Sequence, residues 1–178
     1  VKGEADKRSR EYMRSVCLDH LIHNEDGTIR TVSITRAGLP QLKYINPYKR
    51  NEAETMAKGW GINTEARKGD PGNRIVSSAN DGDYIKVQGV DFTKEGLSKL
   101  KALISCGAPE GGNIEIHLES ENGLLIGTLN VVPTGDWDSW KTITTDVAIP
   151  NTGVFDLYFV FKGNKEDFAH IDYWEFTH

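Results

Sequence analysis

From Asn113 to Glu119, apolar Ile114, Ile116 and Leu118 alternate with polar Glu115, His117 and Glu119. That period of two is the signature of a half-buried strand. Phe155, Leu157, Phe159 and Phe161 alternate in the same way with Asp156, Tyr158 and Val160. Here both faces are largely apolar, which predicts a strand in the middle of a sheet. Further strands are expected at Thr31 to Thr35, Glu52 to Ala57, Arg74 to Ser78, Tyr84 to Phe92, Leu97 to Ser105, Leu124 to Val131, Lys141 to Val147 and Ile171 to Phe176. Between them stand Asp70-Pro-Gly, Asn80-Asp-Gly, Pro109-Glu-Gly-Gly, Glu121-Asn-Gly and Pro133-Thr-Gly, all rich in turn-forming residues. Helical periodicity is weak throughout; Leu97 to Ile104 is short and flanked by turn residues, so a strand is the better reading there. Many short strands at regular spacing predict an all-β sandwich.

The first 45 or so residues differ in character. Lys2 to Arg14 is dense in charge, and Ser15 to Ile22 and Ile29 to Ile34 flank Asn24-Glu-Asp-Gly27, which predicts a β-hairpin. A lone hairpin is marginal in water, so it must pack on something. The expected organisation is a hairpin segment over residues 1–36, a linker over 37–47 containing Pro40 and Pro47, and the sandwich over 48–178.

Composition narrows the function classes. The chain has 178 residues, long enough for one domain with a full core, and no run approaches the roughly 20 apolar residues of a membrane-crossing helix. A formal charge of −5 argues against nucleic acid, whose phosphates draw clustered Lys and Arg. Cys17 and Cys106 lie far apart without metal-ligand spacing and read as two separate buried thiols. The chain begins with Val1, not Met, so it looks like a fragment or a processed product and the absence of a leader says nothing.

No nucleophile elbow, zinc-protease motif or Gly-rich phosphate loop is present. His20 and His23, three apart in a segment read as strand, would face opposite ways and not share a metal. Glu52 and Glu54 are more informative: at i and i+2 on a strand they share a face, and their repulsion needs an offset. A hard cation with oxygen ligands would supply it, with Asp172 as a third carboxylate if first and last strands are neighbours; a solvated acidic edge is the other reading. Trp137, in the loop sequence Thr134-Gly-Asp-Trp, can stack on the apolar face of a sugar or be buried for structure. Trp140 reads as the start of a strand and core, and Trp60, between Gly59 and Gly61, as a loop residue open to either role.

In order along the chain, Asn51-Glu-Ala-Glu-Thr55, Gly61-Ile-Asn-Thr-Glu65, Asn80-Asp-Gly-Asp-Tyr84, Gly111 to Leu118, Leu125 to Leu129, Thr134 to Trp140, Val154 to Phe161 and Ile171 to Phe176 resemble a family 6 carbohydrate-binding module over about residues 47–178. Arg14 to Asp19 and Asn24 to Ile29 resemble the C-terminal end of the catalytic domain of family 43 glycoside hydrolases, over about 30 residues. The resemblance implies a jelly-roll β-sandwich of two antiparallel sheets with an N-terminal hairpin extension left from an arabinofuranosidase- or xylosidase-like enzyme. It also implies a structural Ca2+ held by Glu52, Glu54 and Asp172, and a sugar cleft at the loop edge. In that cleft the stacking Trp falls on Trp137 and the acidic residue on Glu65. Two positions depart from the family pattern: Ser78 stands where a second aromatic is usual, and His170 where an Asn is usual. Trp60 is a candidate to replace the missing aromatic; the concave sheet face, used by some members, is the alternative surface.

The implied function is noncatalytic binding of xylan, arabinoxylan or a related polysaccharide, which holds an attached family 43-like hydrolase near it in an extracellular or cell-surface setting. A module with a degraded site that stabilises its catalytic neighbour is the second reading. A hydrolase within this chain is the third, although the resemblance leads one to expect the carboxylates for glycosidic cleavage in a preceding catalytic domain.

Overall fold

A computed structural model of the chain describes residues 20–32, 43–163 and 167–177. Cys17, Val16, Leu18, the charged segment 2–14, most of the expected strand 31–35 and His178 lie outside the described residues. The chain divides into two units, Val1–Leu42 and Lys43–His178.

In the first unit residues 20–32 form a hairpin tip around Asn24–Gly27; the rest of the expected hairpin, 15–19 and 33–34, lies outside the described residues. His23 bridges Ile29, Asn24 N donates to Thr28 O at 2.8 Å, and Arg30 N donates to Ile22 O at 2.9 Å. The Asp26 carboxylate accepts from the Thr28 hydroxyl and amide, which holds its pKa below the ordinary value.

The second unit is all β among the described residues: β1 (Asn51–Glu52), β2 (Lys58–Trp60), β3 (Asn63–Arg67), β4 (Asp70–Ser77), β5 (Tyr84–Phe92), β6 (Gly96–Ser105), β7 (Gly112–Leu118), β8 (Leu124–Val131), β9 (Lys141–Ile149), β10 (Gly153–Lys162) and β11 (His170–Thr177). The strands pair in the order β2-β5-β10-β7-β8-β9-β6-β11-β4-β3, with β1 added to β11. Every pairing between strands is antiparallel. One contact, Gly127 against Val147, joins β8 to β9 and is where the path folds into two layers. A Cβ at Gly127 would fall 2.5 Å from Val147 Cγ1 and 2.9 Å from Asp146 O, so the fold-over needs glycine.

The alternating apolar positions become the core. Ile114, Ile116, Leu157, Phe159 and Phe161 of one layer and Leu100, Ile104, Trp174 and Phe176 of the other are buried. Phe159 meets Trp174 at 5.4 Å and Phe92 meets Phe176 edge-on at 5.1 Å, so aromatic pairs tie the layers together. Each such side chain is worth about 1.5–3 kcal/mol relative to exposure. As predicted, β10 is central, between β5 and β7.

Four expectations are corrected. The strand expected from Glu52 to Ala57 stops at Glu52, because Ala53-Glu54 turn and Thr55 N donates back to Glu52 O at 3.1 Å. The turn expected at Asp70-Pro-Gly is part of β4; the chain reverses at Lys68-Gly69 instead, with Arg67 opposite Asp70. Pro71, which lacks an N–H, falls in the register shift between the Arg67–Asp70 and Ala66–Arg74 pairs, where no ladder bond is required of it. Trp60 is on the short strand β2, not in a loop. Residues 43–47, expected as linker, lie on the sandwich: Ile45 N donates to Gly89 O, Asp91 N donates to Ile45 O, and Phe176 N donates to Pro47 O.

Candidate functional site

A cleft of about 210 Å³ opens where the β3–β4 hairpin faces the loop between β8 and β9, lined by Glu65, Lys68, Ile75, Trp137, Trp140 and His170, with Ala66 and Asp138. Glu65 is exposed on β3, and Lys68 at the hairpin turn pairs with Asp138 across the mouth. The loop carrying both tryptophans is shaped by Thr134. Its N–H donates to Cys106 O, and its hydroxyl oxygen accepts from Cys106 N at 2.9 Å. Buried Ser105 donates to Trp137 O at 2.9 Å. Burial raises the pKa of the Cys106 thiol, which has no disulfide partner among the described residues.

Trp137 is half-buried and engaged with two neighbours. His170 stacks on it, with ring centroids 4.3 Å apart and an interplanar angle of 24°. Gly107 lies against its five-membered ring, since a Cβ there would sit 2.6–2.7 Å from three indole atoms. Residue 107 must therefore be glycine for the indole to lie in this place. His170 is buried, and its Nε2 faces Asp167 Oδ2 at 2.9 Å.

Of the residues named from sequence, the structure brings Glu65, Trp137 and His170 into one cleft. Ser78 and Trp60 do not line it. Ser78 follows β4 with φ of 60° and accepts from Asn63 Nδ2, while Trp60 stands on β2, opposite Tyr84 on β5. The second indole lining the cleft is that of Trp140, expected in the core, and not that of Trp60. The signal for it was the three-residue spacing Trp137-Asp-Ser-Trp140, which puts two rings in one short loop. Lys68, Asp138 and Asp167 had no sequence signal of their own.

The carboxylates Glu52, Glu54 and Asp172 converge behind this cleft, not through alternation on a strand but through the Ala53-Glu54 turn beside β11. Asp172 is fully buried; its oxygens accept from Arg67 Nη1 at 2.7 Å and Asn73 Nδ2 at 2.8 Å. Glu52 is bound by Arg50 through Nε at 2.7 Å and Nη2 at 3.0 Å. Glu54 Oε2 is buried without a partner, and burial, then the charges of Glu52 and Asp172, raise its pKa. Among the described residues no three His, Cys, Asp or Glu side chains are arranged as a finished metal cage. The oxygen-only donor set and the orphaned Glu54 oxygen nonetheless suit a hard cation, which would have to displace Arg50 from Glu52 and Arg67 or Asn73 from Asp172. Arg67 links this cluster to the cleft, because its guanidinium also lies 4.6 Å from the centre of the Trp140 ring.

Residues 52–178 match the sequence model of the family described as carbohydrate binding module (family 6). The chain belongs to that family. This family 6 module is 41% identical over 92% of its length to the arabinoxylan arabinofuranohydrolase of Bacillus subtilis, and 38% identical to that of Paenibacillus polymyxa. It spans about a third or less of those relatives, 32% and 26%. Among solved structures, a glycoside hydrolase family 43 arabinoxylan arabinofuranohydrolase from Bacillus subtilis in complex with cellotetraose superposes with a TM-score of 0.79 at 41% identity, over 89% of this module and 33% of that chain. A β-1,3-glucan binding family 6 module from Bacillus halodurans gives 0.71 at 36% identity, over 76% of this chain and all of that one. A family 6 module from Clostridium cellulolyticum in complex with xylose gives 0.69 at 34%, over 75% and 100%. The fold is thus the family's β-sandwich, and modules of nearly equal similarity are described with different sugars.

Proposed function

We propose that this module binds plant cell-wall polysaccharide of the xylan or arabinoxylan type, without catalysis, at the cleft between Glu65 and Trp137, and keeps an attached family 43-like hydrolase close to it in an extracellular or cell-surface setting. The observation that carries the reading is the cleft itself: two indoles, Trp137 and Trp140, beside Glu65, Lys68 and His170 in one concavity. His170 and Gly107 already lie against Trp137 and Arg67 against Trp140, so a sugar ring would take the flat apolar surface these neighbours leave uncovered, with the polar groups fixing its hydroxyls. Its volume of about 210 Å³ is below the ~300–1,000 Å³ of drug-sized sites, which suits a single sugar ring rather than a long run of chain. Affinity per site is then modest, and the effect of the module is to raise local concentration of the tethered enzyme. Affinity electrophoresis in gels containing arabinoxylan, xylan or β-1,3-glucan tests it: Trp137→Ala should abolish retardation in the first two with an unchanged circular dichroism spectrum.

The outer face of the β2-β5-β10 layer supports a second reading. Trp60 is 60% exposed there beside Tyr84, and Tyr84 and Tyr158 lie 5.7 Å apart with Lys58 and Lys86 over their rings. If Trp137→Ala leaves retardation intact and Trp60→Ala removes it, this face is the site.

We also propose that Ca2+ binds Glu52, Glu54 and Asp172 as a structural ion. It offsets the charge of Glu54, one of whose oxygens is buried without a hydrogen-bond partner, and it takes no part in sugar chemistry.

A further inference from the structure

We propose that Asp167 is a positioning residue that holds His170 in one tautomer, so that the cleft presents an imidazole lone pair and selects ligands with a free hydroxyl at that point. The inference rests on the reading of the cleft as a sugar site and adds to it what the ligand must offer.

Asp167 is itself fixed. Its Oδ1 accepts from Ala79 N at 3.1 Å, and the next residue, Phe168, donates its N–H to Ala79 O at 3.1 Å, so both backbone groups of Ala79 grip this corner. Its other oxygen faces His170 Nε2 at 2.9 Å. A carboxylate only accepts, so the proton of the neutral imidazole must sit on Nε2 and Nδ1 is left bare. Nδ1 has no partner among the described residues, and the ring as a whole lines the cleft. The ring cannot turn away, because it is stacked on Trp137 and its backbone is paired with Ser105, the residue that holds Trp137 O.

An amide at position 170 would offer a donor and an acceptor together and adapt to either kind of ligand atom. A histidine held by a carboxylate offers an acceptor alone. A sugar hydroxyl can donate to it; an ether, an ester oxygen or a ring oxygen cannot. The cleft should therefore reject a sugar that is O-methylated or O-acetylated at the contacting position, by about the tenfold that one hydrogen bond gives.

The test uses the full chain in two measurements. Long-range nitrogen–proton NMR of the imidazoles reads the His170 tautomer without any ligand: Nε2–H is expected in the native protein, and an Nδ1–H ring overturns the proposal. Retardation in arabinoxylan gels is then compared for the native chain, Asp167→Asn, His170→Asn and the double variant. Asp167→Asn should weaken binding about tenfold. His170→Asn should bind, and adding Asp167→Asn to it should change nothing further, a non-additivity that a merely structural role would not give. If Asp167→Asn binds as tightly as the native chain, the positioning role is wrong and the sugar site stands. If the tautomer is Nε2–H but the native chain is retarded by no glycan, the reading of the cleft fails, and with it the selection of a hydroxyl.

Discussion

Glu54 shows how one residue's environment can be tested in two directions. Its raised pKa comes first from burial and then from Glu52 and Asp172. A carboxyl whose pKa is higher folded than unfolded stabilises the fold below its unfolded value, and loses that contribution as pH rises through the folded one. At neutral pH the buried charge is thus a liability unless a cation offsets it. Glu54→Gln is expected to raise the Tm of the metal-free chain slightly, the gain being small because much of the side chain is open to solvent. With Ca2+ at a hundred times its Kd the native chain should gain about 2.7 kcal/mol, roughly 5–10 °C. The Gln variant should gain less. Thermal melts of both proteins in chelator and in calcium check this, and parallel behaviour of the two would contradict the ion's placement. Cys106 gives a second residue-scale expectation. Buried, with its thiol pKa raised, it should react with an alkylating reagent at least about tenfold more slowly in the folded than the unfolded chain, read by mass spectrometry in a Cys17→Ser background.

At the scale of elements, legibility followed burial. β7 and β10 stand out in the sequence because one face or both must be apolar, and that requirement imposes the period of two. β2 and β3, Lys-Gly-Trp and Asn-Thr-Glu-Ala-Arg, are nearly all exposed edge strands held by backbone pairing that any residue can provide, so no pattern marks them. The same limit applies to the cleft. Glu65 sits on one of those unmarked strands and came into view only through resemblance, and Lys68 came from a turn misplaced by two residues because Pro71-Gly72 reads as a turn. The acidic cluster was found for a wrong local reason, since Glu52 and Glu54 meet through a turn and not through strand alternation. The fold-over at β8–β9 offers an element-scale prediction. Gly127→Ala places a methyl 2.5 Å from Val147 Cγ1 and 2.9 Å from a backbone oxygen. It should cost about 1–3 kcal/mol, with Tm falling roughly 2–4 °C per kcal/mol. Adding Val147→Ala should recover part of the loss if the clash, rather than backbone freedom, is the cause.

For the whole molecule the question is where the independently folding part begins. Sequence composition suggested residue 48, after a linker over 37–47, yet Ile45 bridges Val90 in the parallel sense and packs on the core, and Pro47 accepts from Phe176 N at 2.8 Å. The sandwich therefore uses the residues that lead into it as a further edge. Removing residues 1–36 is expected to leave the Tm within about 2 °C of the full chain, and glycan retardation unchanged. Removing residues 1–47 deletes the partly buried Ile45, worth less than the ~1.5–3 kcal/mol of a fully buried side chain, and three backbone hydrogen bonds at roughly 1 kcal/mol each. That truncation should lower the Tm by about 10 °C or more, while Glu65, Trp137 and His170, carried on β3, the β8–β9 loop and β11, keep their places in whatever fraction remains folded. Equal Tm values for the two truncations would show that the segment from Lys43 to Pro47 is only a tether; a large loss on removing 1–36 alone would show that the first unit supports the second.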